Sequence, residues 1–387
     1  MFTFSRSQAY QALPRIFSEG DRSAKQSTSK QRSSVRFFKI FVFWGAVSLS
    51  AAALVVLGRF FGYHEANRLH LYLQKASCHV QQDPIGAVKT TTTPSATPTP
   101  SFVRACTDIS FRHEWRTLNR KEKANYVAAV SCLARTPSVL RENGTIYDDF
   151  PYVHNQFAHL THGKAAFLSW HRRFIAIYEK YLQEKCGYRG ALPYWDWTLD
   201  WEDPSSSPIF DPMTGFGGDG DPQGAETVGG GRCVLDGPFS DLRPLYYGGR
   251  ENPHCFSRGF SDFHGRNASP AMIQQIMASD DYTTFYLAVE NGPHNVAPLG
   301  IKGDFDSFTA PYDPIFFLHH AQLDRLWFHW QLRMPGVRFK EYSGKGESRP
   351  ASLDDTLPMG GLGRDIRVSD IMSTQTGGLC YRYYSLS

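Results

Sequence analysis

The chain has 387 residues, of which 41% are hydrophobic and 14% aromatic, enough apolar surface for a packed domain and too much for a disordered chain. The net charge of +4 is uneven: eight Lys/Arg against Glu19 and Asp21 give +6 up to Lys39, leaving −2 for the remainder. The folded part is therefore close to neutral, and nothing in it suggests nucleic acid.

In chain order, residues 1–39 read as a basic cytoplasmic tail. Residues 40–58 (IFVFWGAVSLSAAALVVLG) follow, nineteen positions without a charge. At about 1.5 Å rise each, such a helix just crosses the hydrocarbon layer. A cleaved signal peptide would start near the N-terminus rather than after 39 polar residues, so the segment is expected to be a transmembrane signal anchor. The preceding Lys/Arg place the N-terminus in the cytoplasm and the rest of the chain in the lumen or outside. Residues 59–102 contain a leucine-spaced stretch (Leu69, Leu71, Leu73) and the Thr/Pro-rich run Lys89–Ser101, read as an extended stalk. Residues 103–387 form the expected lumenal domain.

All seven cysteines lie after the span, where disulfides form, and the odd count leaves at least one unpaired. The sequons at Asn143 and Asn267 suit the same compartment, although Pro270 weakens the second. Helical spacing is expected over residues 120–135, with Tyr126, Val127, Val130 and Leu133 on one face. It recurs over 165–183 and from about His319 to Leu332. Gly- and Pro-rich chain, especially 203–238, reads as irregular loop. The domain is therefore expected to be mainly helical with long loops.

Seven of the fourteen histidines fall in two windows. The first holds His154, His159, His162 and His171. His162 and His171, nine apart, sit about 900° around a single helix and cannot share a metal from it. They converge if His162 lies in a turn at Gly163, His171 points inward from the next helix and His154 comes from the preceding one. In the second window His294 follows a proline, as at a helix start. His320 and Asp324 share one face of the last helix, which suits a ligating imidazole and a carboxylate orienting a ligand. Imidazole sites serve copper or zinc, and histidine alone does not choose between them.

The strings HGKAAFLSWHRRF, CGYRGALPYWDWTLD and YDPIFFLHHAQLDRLW resemble the two copper signatures of the tyrosinase and catechol oxidase (type 3 copper) family, particularly its short fungal members. The similarity runs from about Cys106 to the terminal CYRYY. It implies a four-helix bundle around two coppers that bind dioxygen between them and oxidise phenols by monophenol hydroxylation, catechol oxidation or both. By position, the first copper would take His154, His162 and His171, and the second His294 and His320, with His159 and His319 as non-ligands. Glu290 and Asn295 match the pair that holds a water and helps remove the phenol proton. The resemblance also implies a tailoring step in fungal secondary-metabolite biosynthesis, on a small phenol or a tyrosine-containing peptide.

Two positions depart from that pattern. Pro298 stands where a further second-copper histidine is expected, and His254, His264 and His319 are the candidates to replace it. The alternative to an active enzyme, a copper-binding scaffold or partner protein, rests on Pro298. Leu160 replaces a cysteine that many fungal members link to the middle first-copper histidine.

Overall fold

The computed structural model describes residues 106–376 and 378–384. The expected tail, signal anchor and stalk, residues 1–102, lie outside the described residues, as does Cys78. Among the described residues no helix is long and apolar enough to cross a membrane.

The domain is mainly helical. Helix α1 spans Arg120–Leu133 and starts on a capping box in which the Asn119 side chain accepts from the backbone of Glu122 while Glu122 returns the bond. Helix α2, Ile146–Thr161, begins with the same device between Thr145 and Asp148. Helix α3, Ala166–Cys186, runs beyond the expected end and stops at Gly187, whose φ of +67° the next turn requires. Shorter helices α4 (Pro270–Met277), α5 (Tyr282–Val289) and α6 (Asn295–Ile301) lead to α7, Ile315–Arg333. Helix α7 starts four residues before the expected His319, because Asp313 accepts the backbone N–H of Ile315 and Pro314 presets the first turn.

Helix α3 is the centre of the packing, flanked by α7, α1 and α2. Its apolar face is nearly continuous with that of α7: Tyr178 stacks on Phe317 at 3.4 Å between ring centroids, and Phe150 of α2 meets both rings edge-on. The remaining strands are two or three residues long, and the loop-rich chain between α3 and α4 carries short single turns, as its Gly/Pro content implies. Disulfides Cys132–Cys186 and Cys233–Cys255 fasten that chain and the α1–α3 pair. The third, Cys106–Cys380, closes the domain beside the parallel pairing of strands β1 (Ser110–Arg112) and β2 (Tyr381–Tyr383).

A buried polar cluster holds this closure to the helices. Asp324 on α7 receives Arg172 of α3 at 2.5 Å, the hydroxyls of Tyr381 and Tyr383 at 2.6 and 2.7 Å, and Arg112 at 3.5 Å. Arg112 also pairs with Glu179. The expectation that Asp324 orients a histidine ligand is therefore corrected. Sharing a helical face with His320 fixes only its side of α7, and two buried guanidinium groups and two phenols already saturate its carboxylate.

Candidate metal centre

Four helical segments supply the histidines. His154 projects from the middle of α2, His162 follows its last residue, and His171 lies in the second turn of α3. The chain reverses between the two helices at Gly163, in the left-handed region at φ +63°, which a side chain would strain. His294 comes from the stretch between α5 and α6, and His319 and His320 from α7. His154, His162 and His171 bring one ring nitrogen each within 4.8 Å of one another, and His294, His319 and His320 do the same. The groups face each other: His171 and His320 stack at 4.2 Å, and His162 and His294 lie 5.9 Å apart.

His294 does not start a helix as expected. Residues 282–301 are helical throughout, with one wide π-type turn at Glu290–His294. Pro293 has no N–H to donate into an α-helical ladder, so the turn widens there and turns His294 inward.

The first group is oriented by backbone carbonyls. His154 Nδ1 donates to Phe308 at 2.6 Å, His171 Nδ1 to Phe167 at 2.7 Å, and His162 Nδ1 lies 3.2 Å from the carbonyl of Ala158. Each bond puts the proton on Nδ1 and leaves an Nε2 lone pair for a metal. His154 and His171 present those Nε2 atoms to each other at 3.1 Å. In the second group His294 Nδ1 faces Asn295 Oδ1 at 3.1 Å, and His320 Nε2 is buried without a partner.

Burial disfavours the charged imidazoles, pushing His154 and His294 down to about 4. His162, His171, His319 and His320 fall well below the ordinary value, through burial first and then mutual repulsion. Rings already neutral near pH 7 need lose no proton to bind a metal. Glu290 is shifted the other way. Burial raises it to about 7, against the opposing effect of the Gly163 N–H, which donates to Oε1 at 2.7 Å. Its Oε2 is buried with no partner.

The chain contains the common central domain of tyrosinase over residues 144–333. It is 46% identical over 298 residues to tyrosinase ustQ of Aspergillus flavus, covering 75% of this chain and 83% of that protein. It is 45% identical over 305 residues to tyrosinase-like protein phomQ1 of Diaporthe leptostromiformis, covering 72% and 78%. This chain belongs to the tyrosinase family. A polyphenol oxidase variant from Thermothelomyces thermophila superposes with a TM-score of 0.64 at 31% identity, over 72% of this chain and 89% of that one. The protein is thus a tyrosinase-like oxidoreductase of the fungal kind, a family of type 3 copper, and its two histidine groups suit two metal ions.

The three candidates for the place of Pro298 separate clearly. His254 is bound to Asp304 at 2.8 Å and His264 is exposed beside Asp262, so neither belongs to the second group; His319 alone is in it. His159 is exposed on α2. Pro298 lies buried within α6. Sequence reasoning did not find the Phe308 carbonyl, the Gly163 N–H or Trp197, whose indole reaches His319. Their contacts join positions from 122 to 154 residues apart, which no local spacing announces.

Proposed function

We propose that this domain oxidises a phenol with dioxygen on two coppers, the first held by His154, His162 and His171 and the second by His294 and His320. The observation that carries this reading is the facing pair of buried, neutral histidine groups. Bound copper would supply the binding and reduction of dioxygen. The chain's own residues present imidazole lone pairs and, through α2, α3 and α7, keep bulk water from them. They also manage the phenol proton. A free phenol titrates near pH 10. Glu290, with one oxygen fixed by Gly163 and the other unpaired, is a base near neutrality that takes up that proton, directly or through one water that Asn295 helps to hold.

The setting we propose is a tailoring step of fungal secondary metabolism, on a small phenol or a tyrosine side chain of a peptide, as monophenol hydroxylation, catechol oxidation or both. The fungal tyrosinase-like relatives support it. A single-pass anchor at residues 40–58, with the N-terminus cytoplasmic and the domain lumenal or extracellular, belongs to the same proposal and is supported by three disulfides in the domain.

Copper analysis of the full chain with phenol and catechol turnover tests the reading. Two coppers per chain with turnover support it. One copper and no turnover, with turnover appearing in Pro298→His, would establish the scaffold reading instead. Protease protection of the domain in sealed microsomes tests the topology, and digestion without detergent would refute it.

A further inference from the structure

His319 sits in the second histidine group at the point where Pro298 leaves a ligand missing, and its ring nitrogen is close enough to complete the set. Its hydrogen bonding argues otherwise. At the three first-group histidines Nδ1 faces a backbone carbonyl, and at His294 it faces the Asn295 side-chain oxygen. His319 Nδ1 instead receives the indole N–H of Trp197 at 3.2 Å. An indole N–H only donates, so the ring nitrogen opposite must accept through a lone pair. A neutral imidazole has one lone pair and one N–H, and the proton is then on Nε2. That Nε2 is fully buried and faces the backbone of His294 without closing a hydrogen bond of ordinary geometry.

We infer that Trp197 removes His319 from the ligand set: its N–H occupies the Nδ1 lone pair, the ring proton sits on Nε2, and His319 is a hydrogen-bond donor beside the second copper rather than its third ligand. The inference rests on the assignment of the second copper to His294 and His320. Trp197 is a positioning residue in this account, fixed at the start of a short turn (Trp197–Leu199) whose capping residue, Asp196, is held by Gln322 and Arg325 of α7. The aromatic string PYWDWTLD thereby acts on the metal site without touching a metal.

The decisive test needs no copper. In the metal-free full-length chain carrying nitrogen-15 histidine, long-range proton–nitrogen correlation should show His319 protonated at Nε2 and His154 and His171 protonated at Nδ1. A His319 protonated at Nδ1 overturns the inference. Trp197→Phe should release His319 into a mixture of tautomers, and a pure Nε2–H form in that variant overturns the role of Trp197. At saturating copper, His319→Ala should keep the same number of coppers per chain as the parent, whereas loss of one copper makes His319 a ligand and overturns the inference. If the parent binds no copper, the proposed function fails while the tautomer result stands by itself.

Discussion

The two histidine groups are built from the same residue type at similar burial, yet they differ in what stands behind the rings. Behind the first, three backbone carbonyls accept from Nδ1, so every ring offers its Nε2 lone pair inward. Behind the second, His294 faces a side-chain amide and the backbone of Glu290, His319 faces an indole donor, and on the proposed assignment proline stands in a ligand position. Counting histidines makes the groups equal; on the proposed assignment, with the His319 proton on Nε2, the first is complete and the second short by one. The partner of the distal nitrogen, more than the presence of an imidazole, decides whether a buried histidine is a ligand.

The sharpest way to break this contrast is at the complete site. His171→Ala should abolish phenol turnover and remove the first copper, measured by metal analysis, while leaving the second. Full copper retention would mean that the ligands are assigned wrongly.

Next in size is Asp324→Asn, which should cost about 3–5 kcal/mol, because Arg172 and Arg112 stay buried beside a neutral amide. Denaturant unfolding should show that loss, with copper affinity of the surviving folded protein unchanged. A selective fall in second-site affinity would restore the role first expected for Asp324, that of orienting a ligand.

Much of this arrangement was legible in the sequence, and the legible part is local. The turn at Gly163, the inward His171 and the preceding helix for His154 follow from spacing and from one glycine. The three helices expected from apolar periodicity are present, with α3 running past Gln183 to Cys186 and Asp313-Pro314 advancing the start of α7. What could not be read depends on which side chains meet across the core. The carboxylate of Asp324 turned to arginines from two other segments, and the Nδ1 atoms found carbonyls and an indole contributed by distant loops. The wide turn at Glu290–His294 lay between, since Pro293 marks an interruption but does not say whether the chain stops or bulges.

Glu290 gives a smaller and pH-dependent effect. Its pKa is about 7 in the folded, metal-free protein against an ordinary 4.5. The folded state therefore holds the proton more tightly, and Glu290's own contribution to stability falls as pH rises from 4.5 to about 7, opposite in sign to that of the buried histidines. The difference corresponds to about 3 kcal/mol at ~1.36 kcal/mol per pH unit. Glu290→Gln should remove that contribution, read as the difference between variant and parent melts across the same pH range. Turnover should move in the opposite direction, rising with pH as the carboxylate ionises, in a window that the bound coppers would shift downward. The glutamine variant should lose about 10²- to 10⁴-fold of the parent's plateau rate. A glutamine variant with parental turnover would exclude Glu290 as the proton acceptor.

The smallest change addresses the contrast itself. Position 298 lies on α6 one helical turn beyond His294, so a histidine there shares its face. Proline at this point gives no N–H to the helix, and its replacement adds a backbone donor as well as an imidazole. Pro298→His should tighten the second copper by at least about tenfold in chelator competition, the scale that even an outer partner of a ligand contributes. The first copper should be unaffected, so copper release, stepwise in the parent with the second site emptying first, should become a single step. Stepwise release in the variant, with unchanged constants, would show that the second site is limited by something other than its missing ligand. That outcome would move attention from Pro298 to the indole of Trp197.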